Sequence, residues 1–428
     1  MDASLRLADP EIASLIEQEV LQQATTIELN AAAGFASPAV LAAQGSVLAH
    51  RTLEGYPGKR FHAGHRQADE IERLAVERAK ALFGAEHANV QPHSGVNANF
   101  AVYFATLEPG DTILGMDLAA GGHLSHGRSG TFSGRFFRSV SYGLDPKTGL
   151  IDYDAAARTA REARPRMIVC GASSYPRAID FARFRRIADE TGALLLADVA
   201  HVAGLVAGEA YPSPVPFADF VTFTGYKTLR GARGGVILCR SAHAERIDAA
   251  VFPGVQGSMH LHHMAAKAVT FHLAGGGAFR TYAARVVENA RALARALEER
   301  GYEVVTGGTD THIVLLDLRS LDLTGAEAEA RLEAAGLPCN KNAVPEDPRG
   351  PDTTSGIRLG TAAVTGRGLE LRHMEELAGL IDRALSRTAT PDSVRSVRKR
   401  IREMALRHPL HLDRFEADGA RANDRDEV

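Results

Sequence analysis

Residues 194–204, LLLADVAHVAG, are an apolar run that leads to an aspartate, Asp198, and three positions later to a histidine, His201. A continuous apolar run of this length predicts a buried strand of a parallel sheet. Ligands of open parallel sheets bind at the carboxyl ends of the strands, where both side chains would lie. The next apolar run, at the start of residues 219–235, DFVTFTGYKTLRGARGG, leads in the same way to Lys227. The two runs therefore predict an aspartate and a lysine at one edge of the sheet.

An aspartate and a lysine at one sheet edge suit pyridoxal phosphate. This cofactor is bound covalently by a lysine, and an acidic side chain keeps its ring nitrogen protonated so that the ring can accept electrons. Either residue by itself would more simply be a turn residue or a surface charge. As a pair on successive strands, Asp198 and Lys227 favour a pyridoxal phosphate site.

Two further motifs fit the same cofactor, and a third suits its substrate. VQPHSGVNAN places Ser94 and Gly95 at the start of a helical pattern, where backbone amides and a hydroxyl bind phosphate. AAGGHLSHG supplies His123, whose ring could lie against a flat cofactor, and TSGIRLGT supplies Arg358 just after a predicted strand. An arginine fork suits a substrate carboxylate. The ordinary alternatives are a capping serine, a loop histidine and a surface arginine.

The rest of the chain predicts an α/β fold. Helical patterns such as residues 181–192 lie between some of the apolar runs, which implies a largely parallel sheet covered on both faces. The length of 428 residues predicts two or three domains. The expected divisions are an N-terminal arm with one helix at 1–45, a large domain at 46–275, a small α/β domain at 276–412 and a mobile tail at 413–428. The predicted strands are residues 166–171, 193–200, 219–224 and 234–239.

Composition excludes several classes of function. The balance of 49 basic against 52 acidic residues gives a net charge of −3, which offers no attraction to nucleic acid or an anionic membrane. No run of 18 apolar residues suggests a membrane span. Cys170, Cys239 and Cys339 are scattered and odd in number. They are typical of reduced core cysteines in a cytoplasmic protein, and they suggest neither a disulfide framework nor a metal site.

Nine segments in order together resemble the serine hydroxymethyltransferase family, and the resemblance runs from about residue 9 to about residue 410. They are EGYPGKR, ANVQPHSG, PGDTILGMDL, GGHLSHG, SYGLDPKTGLIDYD, PSPVP, KTLRG, RGG and NKNAVPEDP. The resemblance implies the aspartate-aminotransferase-like fold of fold-type I pyridoxal phosphate enzymes, with a mostly parallel seven-stranded sheet and a smaller C-terminal α/β domain. It also implies tetrahydrofolate as cosubstrate and a homodimer with active sites at the subunit interface, and it leaves a tetramer open.

The resemblance implies roles for the residues that match. Lys227 would hold the cofactor covalently, Asp198 would face its ring nitrogen, and Glu54 would be the acid/base beside the substrate hydroxymethyl group. The implied catalytic residues are Lys227, Glu54, Asp198, His123 and Tyr226. The implied cofactor contacts are Ser94, Gly95, His123, Ser173, Asp198, His201, Lys227 and, from the neighbouring subunit, Gly257. The implied amino-acid contacts are Arg358, Thr52, His62 and Tyr226, and the implied folate contacts are Glu54, Phe61, Leu124, Phe252 and Asn342.

The chain departs from the family pattern around the substrate Cα. Thr52 replaces a tyrosine, Tyr226 replaces the histidine before the lysine, and Gly225 replaces a threonine. The other departures are Ala32, Ala33 and Gly34 for Ser-Glu-Asn, Phe61 and His62 for two tyrosines, and Gly257-Ser258-Met259 for Gly-Gly-Pro. Loss of the phenol at Thr52 would leave a void that a packed site does not keep without cost. The space would admit a methyl group on Cα, a pattern similar to the 2-methylserine branch, which exchanges a hydroxymethyl group between 2-methylserine and folate with D-alanine as the other partner.

Several alternatives stay open at the level of sequence. Tyr226 or His62 could fill the void, which would leave an ordinary serine/glycine hydroxymethyltransferase. The aromatic exchanges at Phe61 and His62 favour a folate-independent aldolase, whereas retained Glu54 and Asn342 favour a folate enzyme. An inactive paralogue with a binding role is disfavoured because Lys227, Asp198, His201 and Arg358 are all retained.

Overall fold

The computed structural model describes residues 3–410, and its centre is a seven-stranded sheet. Five neighbouring strands are parallel, and the strand Gly235–Cys239 runs antiparallel to both of its neighbours. In spatial order the strands are His87–Asn89, Gly235–Cys239, Phe220–Thr224, Leu194–Asp198, Met167–Cys170, Thr112–Met116 and Arg138–Tyr142. The predicted mostly parallel seven-stranded sheet is confirmed, and the four strands predicted from apolar runs are all present.

The apolar runs form strands because both faces of the sheet are covered. In the strand Met167–Cys170, Ile168 and Cys170 point into one hydrophobic cluster, and Met167 and Val169 point into another on the opposite face. Side chains alternate between the faces of a strand, so a strand buried on both sides must be apolar throughout. This double burial explains why sequence periodicity located these strands.

Helices pack on both faces and around a second sheet. The predicted helix at residues 181–192 is Phe181–Thr191, capped by Asp180, whose side chain accepts from the amide of Arg183. The helix Arg66–Phe83 ends at Gly84, which has a φ of +69°. The other α-helices are Ala3–Ala8, Pro10–Thr25, Pro38–Gln44, Gly95–Thr106, Phe132–Phe136, Tyr153–Ala163, Ala203–Ala207, Ala244–Ala249, Leu261–Ala274, Gly277–Glu298, Gly325–Ala334, Ala362–Gly366, Leu371–Leu385 and Pro391–Arg407.

A second sheet of four antiparallel strands follows the long helix Gly277–Glu298. Its spatial order is Glu303–Val304, Ile313–Asp317, Gly356–Gly360 and Asn340–Asn342. The expectation that Arg358 follows a strand is wrong, because Arg358 is the central residue of the strand Gly356–Gly360. The sequence TSGIRLGT is short and flanked by glycines, so its strand character depends on pairing with Ile313–Asp317 rather than on its own pattern.

The N-terminal segment contains three helices rather than the one expected, and its extended part joins the second sheet. The amide of Leu29 donates to Pro338 (2.8 Å), and Leu29 accepts from the amide of Gly360 (2.7 Å). Ile27 and Leu29 are buried in the core of the second sheet. The two sheets have separate hydrophobic cores, which supports the domain division, but that division stays a prediction. The predicted tail at 413–428 lies outside the described residues.

Two expectations about cysteines and membranes can be compared with the structure. Cys170 and Cys239 are buried, Cys339 is half-buried, and all three are unpaired. Within residues 3–410 no helix is both long enough and apolar enough to cross a bilayer.

Candidate active site

A cavity lies at the carboxyl ends of the strands Leu194–Asp198 and Phe220–Thr224. Eight of the residues singled out from the sequence converge on it: Ser94, Gly95, His123, Ser173, Asp198, His201, Tyr226 and Lys227. The remaining residues of its wall are Val96, Asn99, His126, Ala172, Ala200 and Thr224. The parallel strands and the loops that follow them thus bring together residues from four separate sequence motifs.

Asp198 is held as a carboxylate by groups that donate to it. Its Oδ2 accepts from His126 Nε2 (2.9 Å) and Asn99 Nδ2 (2.8 Å), and its Oδ1 accepts from the amide of Ala200 (3.0 Å). Burial by itself would raise the pKa of Asp198, but the hydrogen bond and charge of His126, with the smaller effects of His123 and Asn99, hold it well below its usual range. An ionised buried carboxylate is the partner that a protonated pyridine nitrogen requires.

Lys227 is a buried amine without a fixed partner. Its side chain makes no hydrogen bond or ion pair within residues 3–410. Burial lowers the pKa of Lys227 to about 8; the charge of Asp198 opposes that shift and the charge of Arg358 adds to it. Roughly a tenth of Lys227 is then neutral at pH 7, far more than for an ordinary lysine, which makes it a competent nucleophile.

His126 is a site residue that the sequence reasoning missed. His123 caps the short turn Leu124–His126, and its Nδ1 lies 2.8 Å from Ser125 Oγ. That turn directs the His126 ring inward, where it is buried against Asp198. Burial lowers the pKa of His123 to about 4, so its ring is neutral and suited to stacking. The signal that could have found His126 is the second histidine of GGHLSHG, three positions after the first.

One group of possible metal ligands occurs among the described residues, and it belongs to this cavity. Ligand atoms of His123, His126 and Asp198 lie within 4.8 Å of one another. The Oδ2 of Asp198 already accepts two hydrogen bonds, one of them from His126. The hydrogen bond between His126 and Asp198 accounts for their closeness, so we interpret this group as a carboxylate that a histidine holds in a fixed orientation.

The entrance to helix Gly95–Thr106 forms a cradle suited to a phosphate. Ser94 is the N-cap, and its Oγ accepts from the amide of Asn97 at 3.2 Å. A Cβ at Gly95 would lie 2.6 Å from Thr224 Cγ2, so only glycine allows this approach. Thr224 Oγ1 and His201 Nδ1 are buried at the cavity and have no partner within the described chain. Free amides at a helix start and unpaired buried polar atoms fit a polar, phosphorylated ligand such as pyridoxal phosphate.

Arg358 lies on the second sheet, and hydrogen bonds hold part of its guanidinium while Nη2 stays unbonded among the described residues. Nε donates to Asn340 Oδ1 (2.9 Å) and Nη1 donates to the carbonyl of Ser173 (2.6 Å). These two bonds fix the plane of the guanidinium and leave Nη2 unbonded among the described residues. Burial lowers the pKa of Arg358 to about 10, which still leaves it charged at neutral pH. Such a group can bind a carboxylate beside Ser173.

A second group of predicted residues lies together, but not in the wall of this cavity. Glu54 Oε2 is 3.6 Å from His62 Nε2, and the rings of Phe61 and Phe252 are 5.5 Å apart. A Cβ at Gly257 would come within 3.9 Å of Glu54 Oε1. Phe61 is 70% exposed, which is unusual for a phenylalanine and marks this group as an open surface. Thr52 is exposed on the same loop. We call residues 52–62 with Phe252 and Gly257 the Glu54 surface.

The backbone of the Glu54 surface is rigid because a buried polar network anchors it. Residues 51–64 are not a plain loop but contain a hairpin, Gly55–Tyr56 paired with Lys59–Arg60. Arg60 forms ion pairs with Asp69 and Glu72 and donates to the carbonyl of Gly55 (2.6 Å). Gln91 Nε2 donates to the same carbonyl (3.0 Å) and to Glu72. Gly55, directly after Glu54, is thereby tied to the segment that leads to Ser94.

Two predicted folate residues lie apart from both groups. Leu124 follows His123 and is 51% exposed. Asn342 ends the strand Asn340–Asn342, opposite Gly356, and its Nδ2 donates to the carbonyl of Ala343. The structure therefore places Asn342 on the strand next to that of Arg358, on the same side of the second sheet as Asn340.

The fold and the strand-end aspartate and lysine define the chain as a fold-type I pyridoxal phosphate enzyme. A family model described as "Serine hydroxymethyltransferase" matches residues 5–381, most of the chain. The protein belongs to the serine hydroxymethyltransferase family, which carries out pyridoxal-phosphate-dependent hydroxymethyl transfer. Members of this family usually use tetrahydrofolate as cosubstrate and are typically oligomeric.

Proposed function

We propose that this protein is a 2-methylserine hydroxymethyltransferase, which converts 2-methylserine and tetrahydrofolate to D-alanine and the methylene-carrying folate, reversibly. The family accounts for the hydroxymethyl transfer, and the proposal concerns the amino acid. It is carried by the small side chains at the positions around the substrate Cα.

Those small side chains coincide with open space. Ala32, Ala33 and Gly34 line a cavity of about 550 Å³ that shares Tyr226 with the cofactor cavity. A Cβ at Gly34 would overlap the carbonyl oxygen of Lys227, so the backbone lies closer to the lysine than any other residue would permit. The open space next to Ala32 and Ala33, and not at Gly34, supports an amino acid that carries an additional methyl group.

The two residues that could refill the space each contact another side chain. The guanidinium carbon of Arg233 lies 4.2 Å from the centre of the Tyr226 ring, a cation–π contact that holds the phenol. His62 lies beside Glu54. The contact with Arg233 favours a Tyr226 ring that leaves the position of the missing phenol vacant, whereas His62 lies on the same surface as Thr52 and is the residue that could still fill that position.

The proposed chemistry assigns a task to each group of residues. Pyridoxal phosphate, when bound, supplies an electron sink for a bond broken at the substrate Cα. Lys227 would hold the cofactor, Asp198 would keep its ring nitrogen protonated, and Ser94 with Gly95 would bind its phosphate. His123, Ser173 and His201 would complete the cofactor contacts, with His123 against the ring.

The reaction itself would require a proton to move at the substrate hydroxyl. The Cα of 2-methylserine carries no hydrogen, so the Cα–Cβ bond must break. Arg358 would bind the carboxylate and Glu54 would take the β-hydroxyl proton as formaldehyde leaves. A proton added to Cα then gives D-alanine, and tetrahydrofolate captures the formaldehyde with loss of water. Phe61, Leu124, Phe252 and Asn342 would line the folate side.

The separation of the Glu54 surface from the cofactor cavity supports a homodimer in which each subunit completes the site of the other. Glu54, Thr52 and Gly257 would then face the Lys227 of a second copy. Co-refolding Glu54→Gln with Lys227→Ala should restore activity that neither variant has by itself, because one of the two sites in a mixed dimer has all wild-type residues. A mixture as inactive as its components would place both residues in one subunit's site.

The amino acid is tested by product analysis. The holoenzyme is incubated with 2-methylserine, L-serine or L-threonine, each with and without tetrahydrofolate, and D-alanine and glycine are assayed. The proposal predicts folate-dependent D-alanine from 2-methylserine as the dominant product. Dominant glycine from L-serine would show an ordinary serine hydroxymethyltransferase, and D-alanine formed equally fast without folate would show an aldolase.

A further inference from the structure

Lys267 is a buried lysine that the proposed mechanism does not use. It lies on helix Leu261–Ala274, and its side chain is almost fully enclosed. Its ammonium donates to the carbonyls of Val90 (2.6 Å), Pro92 (3.1 Å) and Gly235 (2.9 Å). No acidic side chain of residues 3–410 lies within ion-pair distance of it. A buried ammonium bonded only to carbonyls retains an uncompensated charge, which is costly unless an anion lies near.

The three carbonyls belong to the backbone that forms the phosphate cradle. Pro92 is two residues before Ser94, and its carbonyl also accepts from the amide of Gly235 (2.9 Å). A Cβ at Gly235 would overlap the carbonyl of Ser94, and a Cβ at Gly234 would lie 2.7 Å from the Lys267 nitrogen. Gly234 therefore lies against the ammonium and Gly235 against the backbone of Ser94, so these two glycines and Pro92 connect Lys267 to the cradle.

We propose that Lys267 is a positioning residue for the cofactor phosphate, acting from behind the cradle. Its three hydrogen bonds fix the turn that carries Ser94, and its charge supplies the positive potential that a phosphate dianion needs. This inference rests on the proposed cofactor but not on the proposed amino acid.

The charged groups around Lys267 do not already compensate its positive charge. Burial lowers the pKa of Lys267 to about 7, and Glu72, the one acid that opposes the shift, is already paired with Arg60. The neighbouring His93 and His263 have lowered pKa values, chiefly through burial and with a contribution from Lys267. A bound phosphate dianion would stabilise the charged form of Lys267. Affinity for the phosphate should therefore fall as the pH rises above neutrality and Lys267 loses its proton.

The experiment compares pyridoxal phosphate with pyridoxal, which lacks the phosphate. Cofactor-free wild type, Lys267→Met and Lys267→Arg are titrated with each compound, and binding is read from the absorbance of the lysine-bound chromophore. Lys80→Met, at a partly exposed lysine paired with Glu77, is the matched control. Lys267→Met should weaken pyridoxal phosphate by about tenfold or more, the effect of a unit charge several ångströms away. Pyridoxal affinity should stay near wild type, and Lys267→Arg should retain most of the preference for the phosphate.

Equal losses for both compounds in Lys267→Met would show a merely structural lysine and overturn the inference. If that variant does not fold, the wild type still decides. Its preference for pyridoxal phosphate over pyridoxal should fall between about pH 7 and pH 9, where the phosphate stays dianionic. A preference that is constant with pH would contradict the role. Wild type that binds neither compound would instead refute the proposed cofactor.

Discussion

Thr52→Tyr would restore the phenol ring that the family resemblance places at this position. The substitution should not disturb the fold, because the Thr52 side chain is exposed and hydrogen bonds hold the backbone of its neighbour Leu53. The amide of Leu53 donates to Ser258 Oγ (2.8 Å), and its carbonyl accepts from the amide of Met259 (3.1 Å). The ring would therefore be added at a fixed point next to Glu54. Within one subunit, a substitution at such an exposed position changes the free energy of unfolding by about 0.5 kcal/mol at most.

The expected magnitude follows from the difference between the two substrates. 2-Methylserine and serine differ by one methyl group on Cα, and a pocket distinguishes one such group by about 1–3 kcal/mol, or roughly 10–200-fold in kcat/KM. If the space at Thr52 admits that methyl group, Thr52→Tyr should lower kcat/KM for 2-methylserine relative to L-serine by a factor in this range. Thr52→Val, which keeps the size of threonine, should leave the ratio close to wild type.

The assay measures kcat/KM for both amino acids with saturating tetrahydrofolate, from D-alanine and glycine formation. Circular dichroism and cofactor absorbance establish that each variant is folded and loaded. A ratio that stays within about twofold of wild type in a loaded Thr52→Tyr enzyme would refute Thr52 as the selector. A parallel loss for both substrates would point to general obstruction of the site and would equally refute selection by the methyl group.

Three other predictions address the remaining groups. Arg358→Lys should raise KM for the amino acid roughly ten- to hundredfold, with a smaller effect on kcat, because the guanidinium that Nε and Nη1 hold in place is lost. An unchanged KM would show that Arg358 does not bind the substrate carboxylate. The rate at which pyridoxal phosphate loads onto cofactor-free enzyme should rise about tenfold per pH unit up to about pH 8 and then become constant. Only the neutral form of Lys227, with its pKa of about 8, is a nucleophile. Loading rates that are constant below pH 8 in stopped-flow measurements would contradict this. Arg60→Met should lower the free energy of urea unfolding by about 3–5 kcal/mol, because it leaves Glu72 buried without its cation. The control Arg161→Met, in an ion pair that is exposed on both sides, should change this free energy by less than about 0.5 kcal/mol. Equal effects of the two substitutions would show that the buried network does not stabilise the fold.

Sequence patterns predicted the large sheet well because its strands are buried on both faces. The run at residues 194–204 has only one way to bury so many adjacent apolar side chains, and the same holds for the run before Lys227. The strand that carries Arg358 lacks this signal, since its five residues include two glycines and a charge. Its structure depends on pairing with Ile313–Asp317, a partner some forty residues away that no local pattern reveals.

Residues that act through buried contacts were the hardest to predict. His126 and Lys267 look like a loop histidine and a helix-surface lysine, and only the folded chain shows that both side chains point inward. The N-terminal helices were also underestimated, because Pro38–Gln44 is a short helix that begins at a proline after Ser37. The glycines and proline of residues 51–64 indicate a loop and do not reveal the hairpin. The hairpin and its ion pairs depend on Glu72 and Gln91, which lie beyond the stretch itself.

The anchored hairpin has a consequence for how enzymes of this kind can change their substrates in evolution. Arg60 and Gln91 hold the backbone from within, while Thr52, Phe61 and His62 face outward. If these outward side chains contact the substrate as proposed, mutation of one of them would alter what the site accepts with little effect on folding, whereas mutation of an anchor would disturb the whole surface. Such a division would let a lineage explore new amino acids one substitution at a time on an unchanged scaffold.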